Sequence, residues 1–125
     1  KSVIFGTNVS YIRKYAFAYS GVESIDLSNA NMWRIYEYAF AHCYSLTTIN
    51  FGDVVDLRDN GILSTASALT DIYVSRTIAP SIGANTFWNV KRGGTLHYPE
   101  GADYSVWMQG SSYYLGYYDW TSEEI

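Results

Sequence analysis

The sequence predicts a right-handed β/α superhelix, a solenoid in which short parallel strands alternate with short helical turns. Three observations predict it: an apolar pattern with a period of about 23 residues, a fixed spacing inside each copy, and an aromatic C-terminal segment. Such a period indicates a solenoid, because one unit cannot bury its apolar face without stacked neighbours. We expect about four imperfect repeats over residues 1–98 and a capping segment over residues 99–125.

Each copy begins with two apolar residues five positions apart. Ile12 and Phe17 recur 23 residues later as Ile35 and Phe40. Looser copies of the same pair are Leu57 with Ile62, and Ile82 with Phe87. Agreement in four places predicts that the second member of each pair contributes to a continuous core. We expect the side chains of Phe17 and Phe40 to be nearly fully buried.

Small residues around these phenylalanines are spaced as on a helical turn. Ala16 and Ser20 are four residues apart, and so are Ala39 and Cys43. Residues with this spacing lie on one face of a helix. The sequence therefore predicts about one helical turn in each repeat, with Cys43 buried and bonded to a local carbonyl.

An alternating apolar pair closes each copy. The pairs are Ile25 with Leu27, Ile49 with Phe51, Ile72 with Val74, and Leu96 with Tyr98. Side chains alternate between the two faces of a strand, so Ile25 and Leu27 should point inward and Asp26 outward. Val3 and Phe5 have the same spacing and indicate the strand of a preceding, incomplete repeat.

The C-terminal third departs from the repeat. Pro99 should end the last strand, because proline cannot extend a central ladder. Asp103 is a candidate cap for a short helix that would carry Tyr104, Trp107 and Met108 on one face and end at Gly110. The aromatic tail over residues 113–120 would then cover the open end of the solenoid.

One copy of the repeat carries a recognisable signature. Its positions are Ile35, Ala39, Phe40, Cys43, Leu46 and Ile49. This signature resembles the BspA-like leucine-rich repeats of bacterial surface proteins, and the resemblance covers about residues 3–98. Residues 94–108 look like the closing segment of such proteins. The third copy departs most, with Gly61-Ile62-Leu63 where Tyr-Ala-Phe is expected.

The resemblance implies a leucine-rich-repeat solenoid that is exported and displayed extracellularly or at the cell surface. It implies binding to a host protein or a neighbouring-cell surface protein, and it implies no catalytic residues. We therefore expect a non-enzymatic module without a cofactor or metal. The chain starts at Lys1 without a methionine, so we also expect it to be part of a longer protein.

Composition and motifs exclude several other functions. A formal charge of −4, without a basic stripe, argues against nucleic acid as a partner. No apolar run reaches the roughly 18 residues of a membrane span, so this segment should not insert into a membrane. His42 next to Cys43 is not interpreted as a catalytic pair. The loop with Asp53, Asp56 and Asp59 is interpreted as solvated rather than as a calcium site.

The outward positions of the predicted strands are the candidate ligand-binding residues. One row contains Asp26, Asn50, Tyr73 and His97, and a second row contains Ser24, Thr48, Asp71 and Thr95. Solenoids commonly bind ligands on such a sheet face, which predicts a protein-binding or adhesion surface. A polar surface that only faces solvent is an equal alternative.

Two further functional alternatives remain open. A carbohydrate-binding module would stack sugar rings on Trp107, Tyr113, Tyr117 and Trp120, which predicts that these rings are exposed. Packing of the same rings in the core and cap is favoured over sugar binding. A purely structural spacer within a longer array would bind nothing.

Overall fold

The computed structural model describes residues 1–111 and 113–125, and its strands form two parallel sheets. The six-stranded sheet, called the face sheet, contains β1 (Ser2–Ile4), β3 (Ser24–Asp26), β5 (Thr48–Asn50), β7 (Asp71–Tyr73), β9 (Thr95–Tyr98) and β10 (Thr121–Glu124), in that order. The four-stranded sheet, called the back sheet, contains β2 (Tyr11–Ile12), β4 (Arg34–Ile35), β6 (Asp56–Leu57) and β8 (Ser81–Ile82). The parallel-strand solenoid predicted from the period is confirmed.

The face sheet has the predicted strand phase. Ile25 pairs with Ile49, Ile49 with Ile72, and Ile72 with Leu96, and all four side chains are buried. Leu27 is also buried, whereas Asp26 between them is partly exposed. The alternation of apolar and polar residues therefore identified which side chains enter the core.

The back sheet was not predicted as strands. Its second residues are Ile12, Ile35, Leu57 and Ile82, the same apolar residues that begin each copy of the repeat. Ile12 pairs with Ile35, and Leu57 pairs with Ile82. Each strand has only two residues, which is too short for a visible alternation.

The predicted helical turns are wrong. Within the described residues the one helix is a 3-10 helix in the C-terminal segment, Leu115–Tyr118. Each repeat instead turns through residues with positive φ, including Tyr15 at 60° and Tyr38 at 57°. The Phe17 amide donates to the Ala39 carbonyl at 2.8 Å, in the next repeat, rather than to a carbonyl of its own turn. The amides of Ala16 and Ser20 still bond to carbonyls three residues earlier, so bonds within the turn alternate with bonds between repeats. The bonds between repeats offset the cost of this backbone conformation.

The apolar column inside these turns is nearly continuous. Phe17 stacks on Phe40 with ring centroids 5.5 Å apart, and Phe40, Leu63 and Phe87 are fully buried. The backbone ladder aligns Phe40 with Leu63, since the Phe40 amide donates to Ile62 O and the His42 amide to Ser64 O. The expectation for Phe40 is confirmed. That for Phe17 is wrong, because Phe17 is only partly buried, with Phe5 on its outer side.

The C-terminal segment closes the last repeat by aromatic packing rather than by a helix. Asp103 accepts a hydrogen bond from the Ser105 amide at 2.9 Å, but the bonds that follow are of the i to i+3 type, as in turns. Trp107 is fully buried, and its indole N–H donates to Pro80 O at 3.1 Å. The predicted helix from Asp103 to Gly110 is therefore wrong, although Asp103 does cap a turn.

An additional strand follows the closing segment. β9 ends at Tyr98, directly before Pro99, as predicted. It is not the last strand, however, because β10 pairs with it in parallel. Trp120 precedes β10, is buried, and donates from its indole to Lys91 O at 2.7 Å. Its ring covers Gly94, where a Cβ would overlap the indole. This contact anchors the start of β10.

Candidate binding site

The outer side of the face sheet brings the predicted ligand-binding residues together in two rows. Pairing aligns Asp26 with Asn50, Asn50 with Tyr73, and Tyr73 with His97. The second row is aligned in the same way and contains Ser24, Thr48, Asp71 and Thr95. Adjacent parallel strands lie about 4.8 Å apart, so side chains within a row are in contact distance. All eight residues are partly exposed.

A shallow depression lies in the first half of this surface. It has a volume of about 250 Å³ and is lined by Ser24, Ile25, Asp26, Thr48, Asn50 and Tyr73. Five of its six residues were named from the sequence as ligand-binding candidates. The depression offers hydroxyl, amide and carboxylate groups beside one aromatic ring.

Two of the lining side chains are held by the turns that follow their strands. Asp26 Oδ1 accepts the Ser28 amide at 2.9 Å, and Asn50 Oδ1 accepts the Gly52 amide at 2.9 Å. Such bonds are typical of Asx turns. Each bond uses one polar atom of the side chain and restrains the orientation of the other. These residues consequently stabilise the fold as well, so alanine substitutions would not leave it undisturbed.

His97 belongs to a tightly bonded cluster rather than to an open pocket. Its ring stacks on Tyr73 with centroids 4.1 Å apart, and its Nε2 lies 2.8 Å from Asp71 Oδ1. On the other side, His97 Nδ1 lies 3.3 Å from Glu123 Oε1 in β10. The His97 side chain is only 14% exposed. This cluster joins three strands of the face sheet and limits access to two predicted ligand residues, His97 and Asp71.

Hydrogen bonding lowers the pKa of Asp71. The main cause is the bond from His97, and the bond from the Thr70 hydroxyl at 2.8 Å acts in the same direction. Both bonds stabilise the carboxylate form. Asp71, Asp26 and Glu123 therefore give the outward rows an acidic character. A partner with basic side chains would match this surface.

The aspartate-rich loop differs from the solvated loop expected. Asp56 lies in β6, and Arg34 contacts both Asp56 at 3.9 Å and Asp59 at 2.7 Å. Both carboxylates are only 15% exposed. The pairing holds β4 against β6 and the loop that follows β6. Among the residues described, no group of three or more His, Cys, Asp or Glu side chains is arranged to hold a metal ion.

His42 and Cys43 point to different partners. His42 Nδ1 lies 3.0 Å from the Tyr44 hydroxyl, whereas Cys43 Sγ donates to Phe17 O at 3.1 Å. Burial raises the pKa of the Cys43 thiol, which disfavours the reactive thiolate. Cys43 is thus a buried residue that satisfies a carbonyl, here the carbonyl of the preceding repeat.

The four aromatic residues considered for sugar stacking divide into two groups. Trp107 and Trp120 are buried, while Tyr113 and Tyr117 are 39% and 42% exposed. Tyr113 also lines a groove on the turns between the sheets. It has a volume of about 430 Å³ and is lined by Tyr38, His42, Gly61, Ser64, Asn85, Trp88 and Tyr113. This groove was not predicted from the sequence, although the tyrosine of the Tyr-Ala-Phe motif was a visible signal.

Comparison with known proteins supports the repeat assignment. The sequence model of one family, described as a BspA type leucine rich repeat region, matches six copies across residues 1–103. This number exceeds the about four copies that the sequence pattern predicts. No curated protein and no solved structure matched the chain. Within the described residues, no helix is both long and apolar enough to span a membrane.

Proposed function

Because this chain belongs to the family of BspA-type leucine-rich repeats, we propose that it is a protein-binding or adhesion module of a bacterial cell-surface or secreted protein. Repeats of this family are protein-interaction or structural modules, are typically non-enzymatic, and typically occur in bacterial surface proteins. The partner in this proposal is a host protein or a protein on a neighbouring cell. It binds the outer side of the face sheet.

The depression on the face sheet is the observation that carries this proposal. Its hydroxyl and amide groups can bond to a partner backbone, and the Tyr73 ring provides a partly exposed aromatic contact. Tyrosine is enriched among residues that dominate binding energy at protein interfaces. The Asx turns hold Asp26 and Asn50 in place before binding, which reduces the entropy lost on association.

The acidic side chains of the outward rows favour a partner with a basic surface. Asp26, Asp71 and Glu123 are partly or fully exposed. Charges at the edge of an interface mainly raise the association rate, and salt screens them. Binding through this face should therefore weaken as ionic strength increases.

A pair of identical substitutions tests the proposed face. Ser24→Arg places a long side chain in the depression, whereas Ser81→Arg places it on the back sheet. The probes are immobilised plasma and extracellular-matrix proteins from which N-linked glycans have been removed. We expect Ser24→Arg to weaken binding by at least about tenfold and Ser81→Arg to leave it unchanged, because only the first blocks the contact surface.

Biolayer interferometry measures this binding, and melting curves confirm that both variants are folded. Equal weakening of binding by both substitutions would show that the partner does not bind the face sheet. If none of the probe proteins binds the unmodified chain, the structural-spacer alternative is favoured over an adhesion module.

A further inference from the structure

The groove on the turns arises because two columns of stacked rings end at the same repeat. Tyr15 and Tyr38 stack with centroids 5.3 Å apart and an interplanar angle of 10°. The next position in this column is Gly61, since the Tyr38 amide donates to Asn60 O. The column therefore has no third ring, and the Tyr38 ring ends it against the backbone of Gly61.

The second column ends in the same way. Tyr19 and His42 stack with centroids 4.6 Å apart and an interplanar angle of 7°. The His42 amide donates to Ser64 O, which places Thr65 next in the column. Neither column therefore continues with a ring, and the space that this leaves is bordered by Tyr38 and His42, which belong to the same repeat.

The repeat that follows Gly61 and the closing segment supply the opposite wall. Asn85 and Trp88 come from the next turn, and Tyr113 contacts Trp88 edge to face at 6.5 Å. Trp88 is 42% exposed, although its neighbour Phe87 is fully buried. The groove is therefore lined by aromatic rings from three separate parts of the chain.

Gly61 is required for this geometry. Its φ is +65°, and a Cβ at this position would overlap the Tyr38 ring. The Tyr38 ring accordingly rests against the backbone of Gly61. Any larger residue would displace Tyr38 and fill part of the groove.

The polar side chains of the groove are those of Ser64, Asn85, His42 and the tyrosines. Ser64 is buried, and the one contact of its hydroxyl to another described residue is to the Thr65 hydroxyl at a long 3.4 Å. The Asn85 amide adds both donors and an acceptor. None of the lining residues is Lys, Arg, Asp or Glu. An ionic ligand would find no fixed counter-charge among them, and an apolar ligand would leave the Ser64 hydroxyl poorly satisfied.

We propose that this groove binds a neutral carbohydrate, with a pyranose ring stacked on the aromatic walls and its hydroxyls bonded to Ser64 and Asn85. The C–H face of a pyranose carries partial positive charge and complements the negative face of an aromatic ring. The volume of about 430 Å³ lies within the range of about 300–1,000 Å³ typical of small-molecule sites. This site is separate from the face sheet and does not depend on the function proposed for it.

Titration with four neutral oligosaccharides tests the proposal: maltotriose, cellotriose, N,N′,N″-triacetylchitotriose and lactose. Isothermal titration calorimetry measures the affinity of the full chain for each. We expect at least one to bind, and Trp88→Ala to weaken that binding at least tenfold, because it removes a stacking wall. Gly61→Ala should also weaken it, since Tyr38 is displaced.

Trp33→Ala provides the matched control, because Trp33 is 53% exposed and lies outside the groove. Its oligosaccharide affinity should equal that of the unmodified chain. Ser24→Arg should also retain oligosaccharide binding, whereas Trp88→Ala should retain binding to the deglycosylated proteins. The protein-binding proposal and the carbohydrate-binding proposal can therefore be contradicted separately. Absence of binding to all four sugars, or equal loss in Trp88→Ala and Trp33→Ala, would overturn the proposal.

Discussion

The two ends of the solenoid use aromatic residues in different environments. At the N-terminal end, Phe5 and Phe17 contact edge to face and both remain partly exposed. At the C-terminal end, Trp107 and Trp120 are buried and each donates its indole N–H to a carbonyl. The Ala-Phe motif of the first turn recurs in the second, yet Phe40 is buried and Phe17 is not. Burial is thus decided by neighbouring turns rather than by the motif.

The largest loss of stability is expected from Trp107→Ala. The substitution removes a fully buried ring and leaves the carbonyl of Pro80 without its donor. Large-to-small changes of this kind cost about 3–5 kcal/mol, and an unsatisfied buried acceptor adds to the cost. Urea unfolding should show this decrease, with Trp33→Ala as a control that costs less, because about half of the Trp33 side chain already faces water. Similar midpoints for the two variants would contradict the structural role of Trp107.

The pair Phe40→Ala and Phe17→Ala sharpens the comparison, because the same side chain is removed from equivalent positions. We expect Phe40→Ala to lower the free energy of unfolding by about 3–5 kcal/mol. Phe17→Ala should cost at least about 1 kcal/mol less, because part of its ring already faces water. Urea unfolding of both variants measures the difference. Equal losses would mean that the first turn is as well covered in solution as the second.

The smallest expected effect concerns the cluster that joins β10 to the face sheet. The bond from His97 lowers the pKa of Asp71, so it contributes stability above the ordinary carboxyl pKa of about 3.9. This contribution is lost as the pH falls through the lowered pKa of the folded state. In His97→Phe, which can still stack on Tyr73, the pKa of Asp71 should rise toward its ordinary value.

Carboxyl-carbon NMR titration measures this pKa directly. Glu123→Gln is the matched control, because it alters the other partner of His97 and leaves the bond to Asp71 in place. An unchanged pKa of Asp71 in His97→Phe would show that the bond is absent in solution. Because Asp71 is partly exposed, solvent screening should keep the accompanying stability change below that of either core substitution.

The strands and the turns differ in how well the sequence predicted them. Ile25, Asp26 and Leu27 have an alternation that one strand produces by itself, so their orientation was predicted correctly. The spacing of Ala16 and Ser20 suits a helical turn, but the chain forms a turn with positive φ instead. The deciding bonds run from one repeat to the next, as from Phe17 to Ala39, and no local pattern contains them.

The two binding surfaces also differ in how well the sequence predicted them. The outward rows follow from strand alternation, and the depression contains Ser24, Asp26, Thr48, Asn50 and Tyr73, all named from the sequence. The contact between His97 and Glu123 depends on β10, and β10 has no apolar alternation from which it could be predicted. The turn-side groove combines Tyr38, Ser64 and Trp88 from three successive turns, so it appears only after the repeats are stacked.

The sequence by itself determined the repeat period, the parallel solenoid and the inward side of each face-sheet strand. These properties follow from side-chain alternation and from the need of each repeat to bury its apolar face. Only the tertiary structure decided the form of the turns, the partial exposure of Phe17 and the open groove beside Gly61. The turns and the groove depend on hydrogen bonds and ring contacts with residues more than 20 positions away along the chain, and the exposure of Phe17 depends on its contacts with Phe5 and Phe40.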